Sequence, residues 1–198
     1  MTEARTYDMR SRSASAEATR RRIADAAQDL FLSRWYDDVT LADIAEHAGV
    51  SGQTVINHFG GKEQVFGVVI QQAGEEIQLR RYTATPGDVA GAIAALIDDY
   101  EVTGDAVVRL LAVEERLPAA QPAMARGRAE HRAWIETMFA APAATSALLV
   151  VTDVYAWKLL RRDQGMSRDD TEAAMRRMVE AVLERPAAHD HDTGRRSA

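Results

Sequence analysis

The stretch from Thr40 to Phe59, TLADIAEHAGVSGQTVINHF, limits the possible folds of this chain more than any other. It reads as two short helices around a tight turn. Thr40 is a good N-cap, since its hydroxyl accepts a hydrogen bond from an otherwise unpaired amide of the first turn. Asp43, three residues on, completes a capping box with Asp in place of Glu. Val39 and Ile44 have the spacing of a hydrophobic staple across that cap. The first helix then ends at about His47 or Ala48, where Gly49 tolerates positive φ. Ser51 caps again, and Val50 with Val55 repeats the staple spacing. Two capped helices joined by a few residues containing glycine form a helix-turn-helix pattern.

The second of these helices has two chemically different faces. At about 100° per residue, Val55 and Phe59 fall together toward the first helix. Gln53 and Asn57 fall together on the other side, flanked by Thr54 and Ile56. Side-chain amides pair bidentately with adenine in the major groove, and a threonine methyl meets a thymine methyl. Gly52, at the first helical position, lets the backbone come close to phosphate. A solvated polar face on a short surface helix would carry the same amide pair.

The run from about Thr19 to Ile70 resembles the DNA-binding domain of the tetracycline-repressor (TetR) family of bacterial regulators. The resembling strings are TRRRIADAAQDLF, VTLADIAEHAGVS and TVINHFGGKEQVF. Capping, buried and polar positions agree at once, which makes the match specific. Two residues depart from the family pattern. Trp35 stands where glycine is usual before the tyrosine, and Ile56 stands where a tyrosine often binds phosphate.

The resemblance implies an all-α protein of about nine helices. A three-helix DNA-binding domain would occupy residues 17–77, with its helix-turn-helix motif at 40–59. A helical ligand-binding and dimerisation bundle would occupy 82–185. The ends, 1–14 and 186–198, would be flexible, the first an arm carrying Arg5, Arg10 and Arg12. Residues expected at DNA are Arg22, Thr40, Ser51, Gly52, Gln53, Thr54, Ile56, Asn57, His58 and Lys62. The partners implied are a double-stranded palindromic operator, a second copy of the chain and an unidentified small-molecule effector.

Several sequence features fit that reading. Arg20, Arg21 and Arg22 crowd the expected start of the first helix, near Ser15 or Thr19, where the helix dipole disfavours cations and a nearby phosphate backbone would favour them. Lys62 opens the next helix, and a helix N-terminus with a lysine suits phosphate. A net charge of −6 argues against indiscriminate polyanion binding, so any basic groups that meet DNA must be concentrated locally.

Tyr82-Thr83-Ala84-Thr85-Pro86-Gly87 is the best linker. Beyond it come helices expected over about 88–101, 104–117, 122–139, 142–162 and 168–184. The last two are unusually apolar. Leu148, Leu149, Tyr155, Met175, Met178 and Val182 are the candidate dimer contacts. Tyr100, Met124, Trp134, Met138 and Tyr155 are the candidate lining of a ligand cavity, although for each one singly core packing is the simpler reading.

Other classes find little footing. The chain lacks cysteine, which excludes disulfides, thiolate metal sites and thiol catalysis and fits a reducing cytoplasm. It has no phosphate-cradling glycine loop, no HExxH and no nucleophile elbow. No enzyme activity, cofactor or metal is therefore expected. His131 lies in an Arg/Glu-rich helix and is expected to be exposed. No uninterrupted apolar run reaches the roughly 18 residues that span a bilayer, so no membrane partner is expected. A small-molecule carrier built on the C-terminal bundle is the rival reading. It would not bind a palindromic duplex in a salt-sensitive way.

Overall fold

The computed structural model describes residues 2–184, with side chains from Ser13 onward. Arg5, Arg10 and Arg12 as side chains, and the tail 186–198 with His189 and His191, lie outside the described residues. The described chain is helical throughout, without strands.

Helix α1 spans Thr2–Ser33. It starts well before the expected Ser15 or Thr19, so the segment read as an arm is helical backbone. Arg20, Arg21 and Arg22 consequently sit mid-helix, and the dipole argument for them lapses. Its stripe of Ile23, Ala27, Leu30 and Phe31 is buried, as a 3.6-residue period requires. Trp35 is in extended backbone, so the family's glycine is not needed there. Tyr36 then opens a single 3-10 turn, and its ring packs 4.8 Å from that of Phe66.

Helices α2 (Leu41–His47), α3 (Gly52–Phe59) and α4 (Lys62–Arg81) close the head around Ile44, Val55, Phe59, Val65 and Phe66. The turn between α2 and α3 passes through Gly49 at φ 64°, and α3 ends at Gly60 at φ 93°. Both are conformations that a side chain disfavours.

Helix α5 runs unbroken over Val89–Val113, where two helices were expected. Gly104, read as a helix start, is a packing residue instead. A Cβ placed there would lie 2.5 Å from the Trp157 ring. The glycine therefore costs some helix propensity and admits an indole against the α5 backbone. Helix α6 (Gln121–Phe139) stops at Ala140, which takes a left-handed φ of 47°.

The helix expected over 142–162 is broken. Helix α7 (Thr145–Val151) ends at Thr152, and α8 (Val154–Lys158) starts with Asp153 accepting from the Tyr155 amide. A π turn, Leu159–Asp163, follows before α9 (Arg168–Glu184). By mean hydropathy, Pro142–Asp163 meets the length and composition of a membrane span, although polar residues interrupt its apolar run, as the sequence shows. The structure interrupts it at Thr152–Asp153, and only 28% of its apolar window is buried.

Two apolar cores result. The first is the head. The second gathers Ile93, Leu96, Trp134, Trp157, Leu148 and Met175. Val113, Leu117 and Ala120 return to the first core, so the far end of α5 and the start of α6 brace the head from below. Leu148 and Met175 are fully buried within one chain, which removes them from the candidate dimer contacts. Leu149, Met178 and Val182 are partly buried on the same core. On this broken segment Val150 (69% exposed), Tyr155 (51%) and Leu159 (52%) face solvent; elsewhere Leu79 (75%) and Val102 (57%) are the most exposed large apolar side chains.

Candidate nucleic-acid interface

The interface begins with the caps. The Thr40 amide donates to Asp43 at 2.8 Å and the Asp43 amide donates to Thr40 Oγ1 at 3.1 Å, so the capping box is complete. Those bonds to Thr40 hold the Asp43 carboxyl below the usual carboxylate range. Ser51 accepts from the Thr54 amide at 3.1 Å, and the two hydroxyls lie 2.8 Å apart. Together these fix where α3 starts and how it leaves the turn.

The side of α3 that turns away from the head carries Gln53, Ile56 and Asn57, all exposed. Gln53 Nε2 donates to Asn57 Oδ1 at 2.9 Å. This bond leaves the Gln53 carbonyl oxygen and the Asn57 amino group free on one surface, an acceptor beside a donor. Helix α3 contains no carboxylate. Ile56 is 42% exposed beside this pair, and it makes no contribution to the head's core.

Arg20 is the support that sequence reasoning missed. Its guanidinium donates to the His58 carbonyl and lies 4.1 Å over the Phe59 ring. It thus caps the C-terminal end of α3, where cations are favoured. No local pattern shows this, because Arg20 and His58 meet only in the fold. Arg22 is exposed on α1. The His58 side chain is half-buried. Lys62 stands at the start of α4, where Gly61 offers no side-chain cap. Its ammonium rests 4.0 Å from the Tyr36 ring centre, and burial lowers its pKa.

A cavity of about 490 Å³ lies beneath the head, bounded by the end of α1, α4, α5 and α6. Tyr100 and Met124 line it. Trp134 and Met138 do not, being packed into the second core, and Tyr155 lies on the outside of the molecule. A large aromatic side chain suits a cavity wall and a core alike, and the Trp134 ring is taken by the core.

One end of the cavity is polar. Arg81 donates to Asp99 at 2.8 Å and to His131 Nδ1 at 3.1 Å. A guanidinium only donates, so Nδ1 accepts and the imidazole proton sits on Nε2, 3.1 Å from Thr152 Oγ1. Thr152 passes the chain on to the Leu148 carbonyl. Tyr100 donates to the Thr152 carbonyl at 2.8 Å. His131 is thus largely enclosed, not exposed as expected. Burial and the Arg81 charge push its pKa down to about 3.

The unfolded chain binds a proton at His131 below about pH 6.5, and the folded chain refuses it until about pH 3. Stability from this group is full above 6.5 and falls by about 1.4 kcal/mol per pH unit below it. His131→Gln is expected to flatten the slope of urea midpoint against pH between about 6.5 and 5, where most carboxylates stay ionised. An unchanged slope would show that His131 titrates normally.

Residues 23–69 match the model of the family described as bacterial regulatory proteins, tetR family. Over 70 residues the chain is 40% identical to the HTH-type transcriptional regulator SrpR of Pseudomonas putida, a match covering 35% of this chain and 33% of SrpR. Over 131 residues it is 30% identical to the HTH-type transcriptional repressor Rv3405c of Mycobacterium tuberculosis, covering 62% of this chain and 69% of that protein. The crystal structure of a tetR-family transcriptional regulator from Streptomyces coelicolor superposes with a TM-score of 0.71 at 19% identity, over 84% of this chain and 80% of that one.

Proposed function

Since this chain belongs to the tetR family of bacterial regulatory proteins and is a DNA-binding transcriptional regulator, we propose that it is a repressor that binds a palindromic operator as a homodimer and is released by a small molecule. The observation that carries operator reading is the outward face of α3. Gln53 and Asn57 are coupled, exposed and uncharged there, on a helix held at both ends by Ser51 and Arg20. An acceptor and a donor side by side match the edge of adenine in the major groove. Ile56 offers a methyl surface to thymine. Thr40, Ser51, Gly52, Thr54, His58 and Lys62 position the head, with Arg22 on the adjoining helix.

Two further observations support the dimer and the effector. The exposed apolar side chains of Val150, Tyr155 and Leu159 lie on the segment whose apolar window is mostly unburied. A second copy of the chain would cover them. The cavity lies along α4, whose first residue is Lys62 at the expected phosphate and whose last is Arg81 at the cavity's polar end. A ligand that tilts α4 shifts the spacing of two heads that must meet half-sites fixed by the duplex. By linkage, it then binds the DNA complex more weakly than free protein.

Asn57→Ala is expected to cost about 1–3 kcal/mol on the preferred duplex and to relax preference at one base pair per half-site. Lys62→Ala should weaken all duplexes alike and flatten the dependence of affinity on salt. Titrations of both variants against the preferred duplex and its point variants separate the two effects. Unchanged affinity and preference in Asn57→Ala would move base reading away from this face.

A further inference from the structure

We propose that the cavity takes an amphipathic monoanion, an organic acid with an apolar body, whose carboxylate binds Arg109. This rests on the reading of the cavity as the effector site. Arg34, Arg81, Arg109, Arg126 and Arg128 all line it. Four of them meet a carboxylate: Arg81 is bonded to Asp99, Arg126 to Glu130 and Arg128 to Glu114, while Arg34 lies 3.9 Å from Asp43. Arg109 has no carboxylate within ion-pair distance among the described residues. Its Nε is buried without a hydrogen-bond partner.

A buried donor without an acceptor is costly, and a guanidinium cannot shed its proton to escape the cost. An incoming carboxylate would satisfy it and match its geometry. The acidic residues of the wall offer a cation little. Glu130 is engaged by Arg126 and Gln78, and Asp153 caps α8. The rest of the wall is mostly apolar, with Phe31, Phe66, Val69, Ile70, Ile77 and Leu110, interrupted by Gln28, Gln71, Gln78 and Thr103. A cavity of about 490 Å³ is of small-molecule size. One guanidinium without a carboxylate partner, beside a mostly apolar wall, selects a single negative charge on a hydrophobic body. A dianion would leave one charge buried without a partner.

The same arginine ties the two halves of the molecule. Arg109 Nη2 donates to the carbonyl of Leu32, in the last turn of α1. A carboxylate arriving at Arg109 competes with that carbonyl for the guanidinium. Binding would then loosen α1 from α5 at the seam between head and body. The ligand's charge, and not only its bulk, becomes the signal.

The test uses the full-length protein and three ten-carbon probes at submicellar concentration: decanoate, decanol and decyltrimethylammonium. Calorimetry is expected to show decanoate binding at least about tenfold more tightly than decanol, the worth of one charge-assisted hydrogen bond. Arg109→Leu should abolish that preference while decanol still binds, which shows the cavity to be intact. Arg109→Lys should restore part of it. Decanol or the ammonium binding the unaltered protein as tightly as decanoate would overturn the proposal, as would a decanoate preference that survives Arg109→Leu. Binding of none of the three would overturn it as well. Decanoate that binds through Arg109 yet leaves the preferred duplex bound would uphold the ligand class and defeat the effector reading on which it rests.

Discussion

Asp99→Ala is expected to destabilise the protein by about 3–5 kcal/mol, the cost of stranding a buried charge. Asp99 is fully buried and accepts from both Arg80 at 3.1 Å and Arg81 at 2.8 Å. Arg81 is only 7% exposed. Without the carboxylate, its guanidinium keeps a neutral imidazole and the face of Tyr100, 5.1 Å away. Neither carries a compensating charge. The Trp134 indole N–H also donates to the carbonyl of Arg81, so movement of Arg81 disturbs the second core. For a chain of this length, the loss corresponds to a fall of roughly 10 °C in melting temperature. A urea midpoint that drops with an unchanged m-value would show the effect to be stability alone. A loss below about 1 kcal/mol would mean that water reaches the pair and that the polar end of the cavity is open.

The second large effect concerns assembly. Val150→Glu combined with Leu159→Glu is expected to leave a folded monomer at micromolar concentration that has lost the operator. Both side chains are more than half exposed in the single chain, so the substitutions cost the monomer little. In a dimer sealed across this segment, each would strand a charge in an apolar contact, at several kcal/mol. Leu149 and Met178 are poorer sites for this test, since both also pack on the chain's own core. Sedimentation gives the mass, and circular dichroism with the melting temperature reports the fold. A doubly substituted chain that remains dimeric would place the interface on another face.

What the sequence made legible was local. The caps at Thr40 and Ser51, the glycine turn and the buried stripe of α1 depend on residues within a few positions of each other, and all formed as spaced. What escaped depends on residues far apart in the chain. Gly104 looks like a helix break until Trp157 is brought against it. His131 looks solvated until the end of α4 and the Thr152 break enclose it between Arg81 and Thr152. Arg20 looks like a phosphate ligand until His58 and Phe59 arrive beneath it. Leu148 and Met175 match an interface by hydrophobicity alone, yet their faces turn inward. The periodicity of an apolar helix gives its stripe but not which neighbour the stripe meets. The cavity, lined from α1, α4, α5 and α6 together, has no signature in any one segment.

The most direct test of operator reading by paired α3 helices is selection of bound duplexes from a random pool, carried out in parallel with the unaltered chain and with Asn57→Ala. The unaltered chain is predicted to yield a palindromic consensus whose half-sites are centred about one helical turn, 10–10.5 base pairs, or a multiple of it apart. Asn57→Ala is predicted to yield the same spacing with preference lost at one symmetric pair of positions. A consensus without two-fold symmetry, or one that Asn57→Ala leaves unaltered, would contradict it.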